Sequence, residues 1–167
     1  MKTAIVTGGG DGLGADIARA LSDKDYRVGV LDVRGELADE TAAKLTSAMS
    51  LHADVTDPDQ VAAAFEKFGE IPNLLVNNAG IVRFGPLEEQ TVEDYSSVIS
   101  VNLLGSCICA RQASLGMLER GSGHIINITS VNGIHPAPNV GLYGGTKAAM
   151  ANMTQAMSIE WGPRGLR

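Results

Sequence analysis

Cysteine is almost missing from this chain. The 167 residues hold two, Cys107 and Cys109. Two positions apart on a stretch of helical pattern, they point in different directions, which fits neither a disulfide framework nor a zinc knuckle. No metal site is expected, and a reducing, cytoplasmic setting is the default. Basic residues are outnumbered, 13 against 19 acidic, for a net charge of −6. That balance argues against a nucleic-acid partner and against a polybasic membrane anchor. No apolar run approaches the roughly 18 residues of a membrane-spanning helix. A signal peptide is not expected either, because the strand-length run Thr3–Thr7 is followed at once by glycines. Internal repeats, low-complexity tracts and linkers are absent.

Apolar residues make up 44% of the chain and charged residues 19%, the proportions of a folded globular protein rather than a disordered one. The length suits one domain over residues 1–167. Glycine takes 20 positions without a three-residue period, so collagen is excluded. The glycines cluster, and clusters mark places where the backbone turns sharply or approaches something closely.

Short β-rich runs alternate with helical ones. Strands are predicted at Thr3–Thr7, Arg27–Asp32, Ser50–Ala53, Asn73–Val76 and His124–Thr129. Helices are predicted at Leu13–Ser22, with Leu13, Ile17, Ala18 and Leu21 on one face, and at Glu36–Thr46. A third runs from an Asp57-Pro58-Asp59-Gln60 cap to about Phe68. A fourth starts at Thr91-Val92-Glu93-Asp94 and reaches about Glu119, with a break near Asn102. The last is Tyr143–Trp161, stopped by Gly162-Pro163. Such alternation predicts an α/β fold, a Rossmann-type doubly wound parallel sheet with right-handed crossovers. Ligands of such sheets bind beyond the carboxyl ends of the strands, where strand order reverses.

The informative residues follow strands. Thr7-Gly8-Gly9-Gly10-Asp11-Gly12-Leu13-Gly14 comes directly after the first strand and opens a helix. Glycines there permit a tight turn and bring N–H groups, with the positive helix end, against a pyrophosphate. The spacing suits Gly-x-Gly-x-x-Gly poorly, and no Gly-Lys-Ser/Thr marks a triphosphate loop. Asp32 ends the second strand, where a carboxylate can accept from ribose hydroxyls and repel a 2′-phosphate. A strand-end Asp capping a turn is the plainer alternative, and Arg34 is the feature that weakens an NAD reading. Asn77-Asn78-Ala79-Gly80 follows the fourth strand. Taken alone it reads best as a turn, although its Asn amides can tie strand ends together. Tyr143 and Lys147, four apart, share a helix face, and Ser130 precedes them at the end of the fifth strand. A cation beside a phenol favours the phenolate, and a phenol so placed is usable as an acid/base near neutral pH.

Thr7-Gly8-x-x-x-Gly12-x-Gly14, Asp54-Val55, Asn77-Asn78-Ala79-Gly80, Asn102, Ser130 and Tyr143-x-x-x-Lys147 together resemble a short-chain dehydrogenase/reductase. The resemblance covers essentially the whole chain and implies an NAD-dependent oxidoreductase that interconverts a small-molecule secondary alcohol and a ketone. It implies that Tyr143 is the acid/base and that Ser130 holds the substrate oxygen. Lys147 would hold the nicotinamide ribose, and Asn102 would hold a water that links Lys147 to solvent. Gly8, Gly10, Asp11, Gly12, Leu13 and Gly14 would line the pyrophosphate and Asn78, Ala79 and Gly80 the cofactor's other half. Asp54 and Val55 would lie along the adenine, and Asp32 would select NAD. A homo-oligomer built on the helices after Asn102 and from Tyr143 is implied too. The family pattern continues past Arg167 into a sixth strand, a turn that meets the nicotinamide, a substrate lid and a last strand. The competing reading is therefore a non-catalytic dinucleotide-binding fragment or scaffold module. His135 reads equally as a substrate contact or a surface residue. His52 and His124 read as structural residues at strand starts. Met150, Met153 and Met157 read as a helical core or interface face, and Gly144 and Gly145 as sites of close helix packing.

Overall fold

Side chains alternate across a strand, so a strand covered on both faces needs apolar residues at every position. The computed structural model describes residues 1–167, and three of its five strands are buried through most of their length. The strands are β1 (Lys2–Thr7), β2 (Tyr26–Asp32), β3 (Ala48–His52), β4 (Leu74–Asn77) and β5 (His124–Asn127). They form one sheet in the order β3-β2-β1-β4-β5, and every neighbouring pair is parallel. The helices are α1 (Gly12–Ser22), α2 (Gly35–Ala43), α3 (Pro58–Phe68), α4 (Val92–Ile99), α5 (Ser106–Arg120) and α6 (Gly141–Trp161). This is the doubly wound, Rossmann-type sheet the sequence predicts.

Alternate residues feed two separate cores. Ala4, Val6, Val28, Val30, Leu74 and Val76 pack with Ala18 of α1 and Ala38 of α2. Ile5, Leu31, Leu51 and Leu75 point the other way, to Val61, Phe65 and Phe68 of α3 and Cys109, Ala113 and Met117 of α5. Burying each of the larger of these side chains contributes about 1.5–3 kcal/mol. Strand order reverses between β1 and β4, whose carboxyl ends open the crevice where the site lies.

Capping follows the sequence. Asp57 Oδ1 accepts from Asp59 N (2.9 Å) and Gln60 N (3.1 Å) at the start of α3. Thr91 and Asp94 form a reciprocal capping box on α4. The break expected near Asn102 is a π-helical turn, Ser100–Gly105, joining α4 to α5. At Gly105 a Cβ would stand 2.6 Å from Val55 Cγ2, so the missing side chain lets this turn lie against the loop between β3 and α3.

Five expectations need correction. Leu13 is 58% exposed, and the buried face of α1 is Gly14, Ala18 and Ser22; Leu13 faces the crevice instead of the sheet. The second helix ends at Ala43, not Thr46, because the N–H groups of Lys44 and Leu45 turn back to Thr41 and Ala42. His52 ends β3 rather than starting it, with Nε2 3.0 Å from Asp39 Oδ1. β5 stops at Asn127, two residues short of Thr129, although Ile128 N still donates to Asn77 O (2.9 Å). The helical run Val92–Arg120 is long and apolar enough to cross a membrane, yet Cys109, Ala110, Ala113 and Met117 of that run are core residues. Beside the start of β5, Leu166 pairs in parallel with Gly123, and Ile125 N donates to Arg167 O (2.9 Å).

Candidate active site

The glycine loop works by close approach. Gly8 has φ +62°, and a Cβ on Gly14 would run into the Gly8 carbonyl oxygen. Only glycine at both positions lets the helix start against the end of β1. Asn78 Nδ2 ties the loop down by donating to Thr7 O and Gly8 O, both at 3.1 Å. Thr7 Oγ1 in turn accepts from the N–H groups of Asn78 and Ala79, also at 3.1 Å. Asp11 caps α1, taking Gly12 N at 2.7 Å. The next N–H groups, of Leu13 and Gly14, have no intrahelical acceptor, so the positive end of α1 keeps donors for an anion.

Asp32 is buried at the end of β2. Its Oδ2 accepts from Gly10 N (3.0 Å) and its Oδ1 from Arg34 N (2.9 Å). It therefore knits the strand end to the glycine loop, as the plainer reading of a strand-end Asp has it. A carboxylate has about four acceptor positions, so acceptor capacity remains for ribose hydroxyls. Arg34 leans back over this corner, with Nε 3.5 Å from Asp32 Oδ1 and Nη1 3.9 Å from Asp11 Oδ2. Asp54 Oδ1 is used by Thr56 N and Thr56 Oγ1 (both 2.8 Å), leaving Oδ2 free of partners. Asp32, Arg34, Asp54, Val55, Ala79 and Gly80 line a cavity of about 480 Å³.

Gly80 and Ile81 also line a second cavity, of about 410 Å³, so the two make one groove. The second part brings Ser130, Tyr143 and Lys147 together with Leu13 and Asn78. Lys147 is 4% exposed. Its Nζ donates to Ile128 O at 2.7 Å and lies 5.7 Å from the centre of the Tyr143 ring. Burial pushes its ammonium below the ordinary lysine value. Ser130 Oγ accepts from Asn132 N (3.2 Å) as the cap of a short turn, Val131–Gly133. A Cβ on Gly133 would stand 2.9 Å from Ala148 N, and one on Gly144 2.6 Å from Asn132 O. Those two glycines seat the Ser130 turn on α6 beside Tyr143. Gly144 thus serves packing within the chain, while Gly145 meets open space.

Asn102 is completely buried in the π-helical turn. Its Oδ1 accepts from Ile81 N (2.8 Å) and its Nδ2 donates to Ile81 O (2.9 Å) and Thr146 Oγ1 (3.2 Å). A Cβ on Gly80 would stand 3.4 Å from Asn102 Oδ1 and 3.6 Å from Lys147 Nζ. Both polar groups therefore face the same small space above Gly80.

Several residues that build this site carry no motif. Thr146 receives the Asn102 amide and donates to Tyr143 O at 2.7 Å. Asn77 Nδ2 joins β4 to Asn127 Oδ1 (2.8 Å), and Asn127 Nδ2 reaches Thr154 Oγ1 of α6 (2.9 Å). The signal that existed was the Asn-Asn pair after β4; its partners lie too far along the chain to be guessed. His135 is exposed and lines neither cavity. Cys109 is buried, which pushes its thiol up to about 12 and leaves it inert. No cluster of three potential metal ligands occurs. A further cavity of about 510 Å³ lies between α3 and α5 and shares no lining residue with the groove; its titratable residues are Glu66 and Glu70.

A family model described as short chain dehydrogenase matches residues 2–167. A D-threitol dehydrogenase from Mycolicibacterium smegmatis is 34% identical over 174 aligned residues, covering 99% of this chain and 66% of that protein. The chain thus spans about two thirds of the length of the curated relatives it matches. The crystal structure of a 3-ketoacyl-(acyl-carrier-protein) reductase from Brucella melitensis with NADH superposes with a TM-score of 0.95 at 30% identity, over 99% of this chain and 72% of that one. A Beutenbergia cavernae structure described as an NAD(P)-dependent gluconate 5-dehydrogenase, with NADP at low occupancy, superposes at 0.90 and 34% identity, covering 99% of this chain and 68% of that one.

Proposed function

This chain belongs to the short-chain dehydrogenase family, and on that premise we propose that it is an NAD-dependent oxidoreductase interconverting a secondary alcohol and a ketone. The observation that carries this reading is the convergence of Ser130, Tyr143 and Lys147 on one cavity that continues into a groove ending at Asp32. The free donors at the start of α1, the glycine contact at Gly14 and the spare acceptor capacity of Asp32 all suit a dinucleotide.

Bound NAD supplies the hydride acceptor at its nicotinamide ring. Ser130 Oγ holds the substrate oxygen. Tyr143 takes the hydroxyl proton during oxidation and returns it during reduction, a contribution on the order of 100- to 10,000-fold. Lys147 has given one of its three donors to Ile128 O, which leaves two for ribose hydroxyls. Its charge also attracts negative charge that develops on the phenol oxygen. Asn102 is a positioning residue: through Thr146 it fixes the α6 turn carrying Tyr143 and Lys147. Its Oδ1 can accept a further bond from a water above Gly80, shared with Lys147. Asp54 and Val55 border the adenine, and Asp32 favours NAD over NADP.

The test is Tyr143→Phe. Turnover of secondary alcohols falls at least about 100-fold while NAD binding by calorimetry stays unchanged. Full activity in that variant would overturn the assignment. A second reading, a chain that binds the dinucleotide without turnover, is favoured by one feature: Ile126 of β5 is 48% exposed, so the sheet beside Ser130 is uncovered on one face. The same proposal takes the protein as a cytoplasmic homo-oligomer joined through α5 and α6. The exposed Leu115, Met153 and Ile159 on those helices support the oligomer.

A further inference from the structure

We infer that Asn127 and Thr154 are positioning residues for Lys147: the bond between their side chains fixes the carbonyl on which the lysine ammonium rests. Neither residue lines the groove. The inference rests on the oxidoreductase reading, which gives Lys147 its task.

Lysine is a point charge on a flexible stem, so its ammonium goes where its acceptor is. That acceptor, Ile128 O at 2.7 Å, lies just past the end of β5. Ile128 N donates to Asn77 O (2.9 Å), which ties the strand end to β4 but not to α6. Two hydrogen bonds span from this strand end to α6. One is the lysine's own, and the other runs from Asn127 Nδ2 to Thr154 Oγ1 at 2.9 Å. Thr154 stands about two turns beyond Lys147, on the same side of the helix. Because Asn127 directly precedes Ile128, a strand end that drifts from α6 breaks the Asn127 bond as it carries Ile128 O away from Lys147. The lysine donors left for ribose hydroxyls are aimed only while Ile128 O holds the ammonium in place.

The bond has one polarity. Thr154 Oγ1 donates its single hydrogen to Met150 O (2.7 Å), so toward Asn127 it can only accept. Asn127 therefore turns Nδ2 to α6 and Oδ1 to β4, where Asn77 Nδ2 donates to it at 2.8 Å. The other hydrogen of Asn77 Nδ2 goes to Ser106 O at 3.0 Å. Asn77 Oδ1 is left buried without a partner, an uncommon state for such an atom and the consequence of turning both hydrogens to these acceptors. The donors thus run one way, from Asn77 through Asn127 and Thr154 into the backbone of α6.

The experiment follows solvent exchange of the Lys147 ammonium hydrogens by heteronuclear NMR in the protein alone, and titrates NADH and AMP by calorimetry. Thr154→Val keeps the shape and removes the acceptor. Asn127→Asp keeps the acceptor for Asn77 and faces Thr154 with an oxygen. Both are expected to speed the exchange at least about tenfold. Both should weaken NADH about threefold and leave AMP, which has no nicotinamide ribose, at wild-type affinity. Thr154→Ser restores the hydroxyl and should match wild type throughout, a rescue that general loss of packing would not give. The inference is overturned if Thr154→Val exchanges as wild type does, or if Thr154→Ser behaves like Thr154→Val. It is overturned too if Thr154→Val leaves NADH affinity unchanged while Lys147→Met weakens it. NADH affinity unchanged in Lys147→Met counts against the oxidoreductase reading alone, because the exchange rates still decide whether the bond holds the lysine.

Discussion

The two ends of the groove are held by different means. At the Asp32 end, β1, β2 and β4 are buried on both faces, and the glycine loop is fixed by backbone contacts and by Asn78 and Asp32. At the Tyr143 end, β5 alternates exposed and half-buried residues. There the Tyr143 and Lys147 side chains are placed by a few side-chain bonds across long stretches of chain, such as Asn102 to Thr146, 44 residues apart. One end is specified by packing and tolerates little change of volume. The other is specified by polar partners and depends on each of them.

The sharpest way to break this contrast is Gly14→Ala. The new methyl meets the Gly8 carbonyl, and backbone cannot swing aside as a side-chain tip can. A loss of about 3 kcal/mol of stability is expected, the upper end for overpacking, together with loss of NAD binding in calorimetry. Ordinary denaturation and binding in this variant would show the loop to be pliable.

Asn102→Ala probes the other end. It strips partners from the N–H and C=O of Ile81 and from Thr146, and an unsatisfied buried group costs about 1–3 kcal/mol. A stability loss of about 2 kcal/mol is expected, with faster hydrogen exchange at the Ile81 amide. NAD affinity should stay near wild type. Equal damage to nucleotide binding would mean that the two ends form one cooperative unit.

Asp32→Asn has a narrower effect. The amide keeps one acceptor for Gly10 N but removes the charge that opposes a 2′-phosphate and engages Arg34. The proposed preference for NAD over NADP is expected to drop about tenfold in competition titrations. An unchanged ratio would move the discrimination to Asp11.

The contrast also explains what the sequence revealed. Glycine spacing, strand runs and the Asp57 and Thr91 caps are local rules, so the sheet and the Asp32 end were legible before any coordinates. Leu13 misled because helical periodicity alone cannot tell a sheet-facing position from a crevice-facing one. The second helix ran too long because Lys44 and Leu45 fit a helix as well as its final turn. Thr146, Asn127, Thr154 and Gly105 were invisible. Their roles exist only once α6, β5 and the π-helical turn are brought together, and a lone threonine or glycine carries no sign of a partner 27 or 44 residues away.

The smallest expected effect on stability concerns Lys147, which belongs to the polar end yet should behave unlike Asn102 when removed. Burial lowers its pKa from the ordinary 10.5. Between that lowered value and 10.5 the folded protein binds fewer protons at this site than the unfolded chain does. Stability contributed by this group therefore rises with pH across that window, and the cost of burying the ammonium is felt in full below it. Lys147→Met removes the charge and keeps an unbranched chain of similar length. It forfeits a bond made by a charged donor to Ile128 O, worth about 1.5–3 kcal/mol, and gains relief from the buried charge, which opposes that loss near pH 7. The variant should lose less stability at neutral pH than the bond alone is worth and should lack the wild-type rise in stability on the alkaline side. On the proposed mechanism turnover should nonetheless collapse, because the donors proposed for the ribose and the charge beside Tyr143 are gone. Melting curves from pH 7 to pH 10 check the first point and an NADH assay the second. A variant markedly less stable at pH 7 would show that Lys147 is a structural tie of the same kind as Asn102.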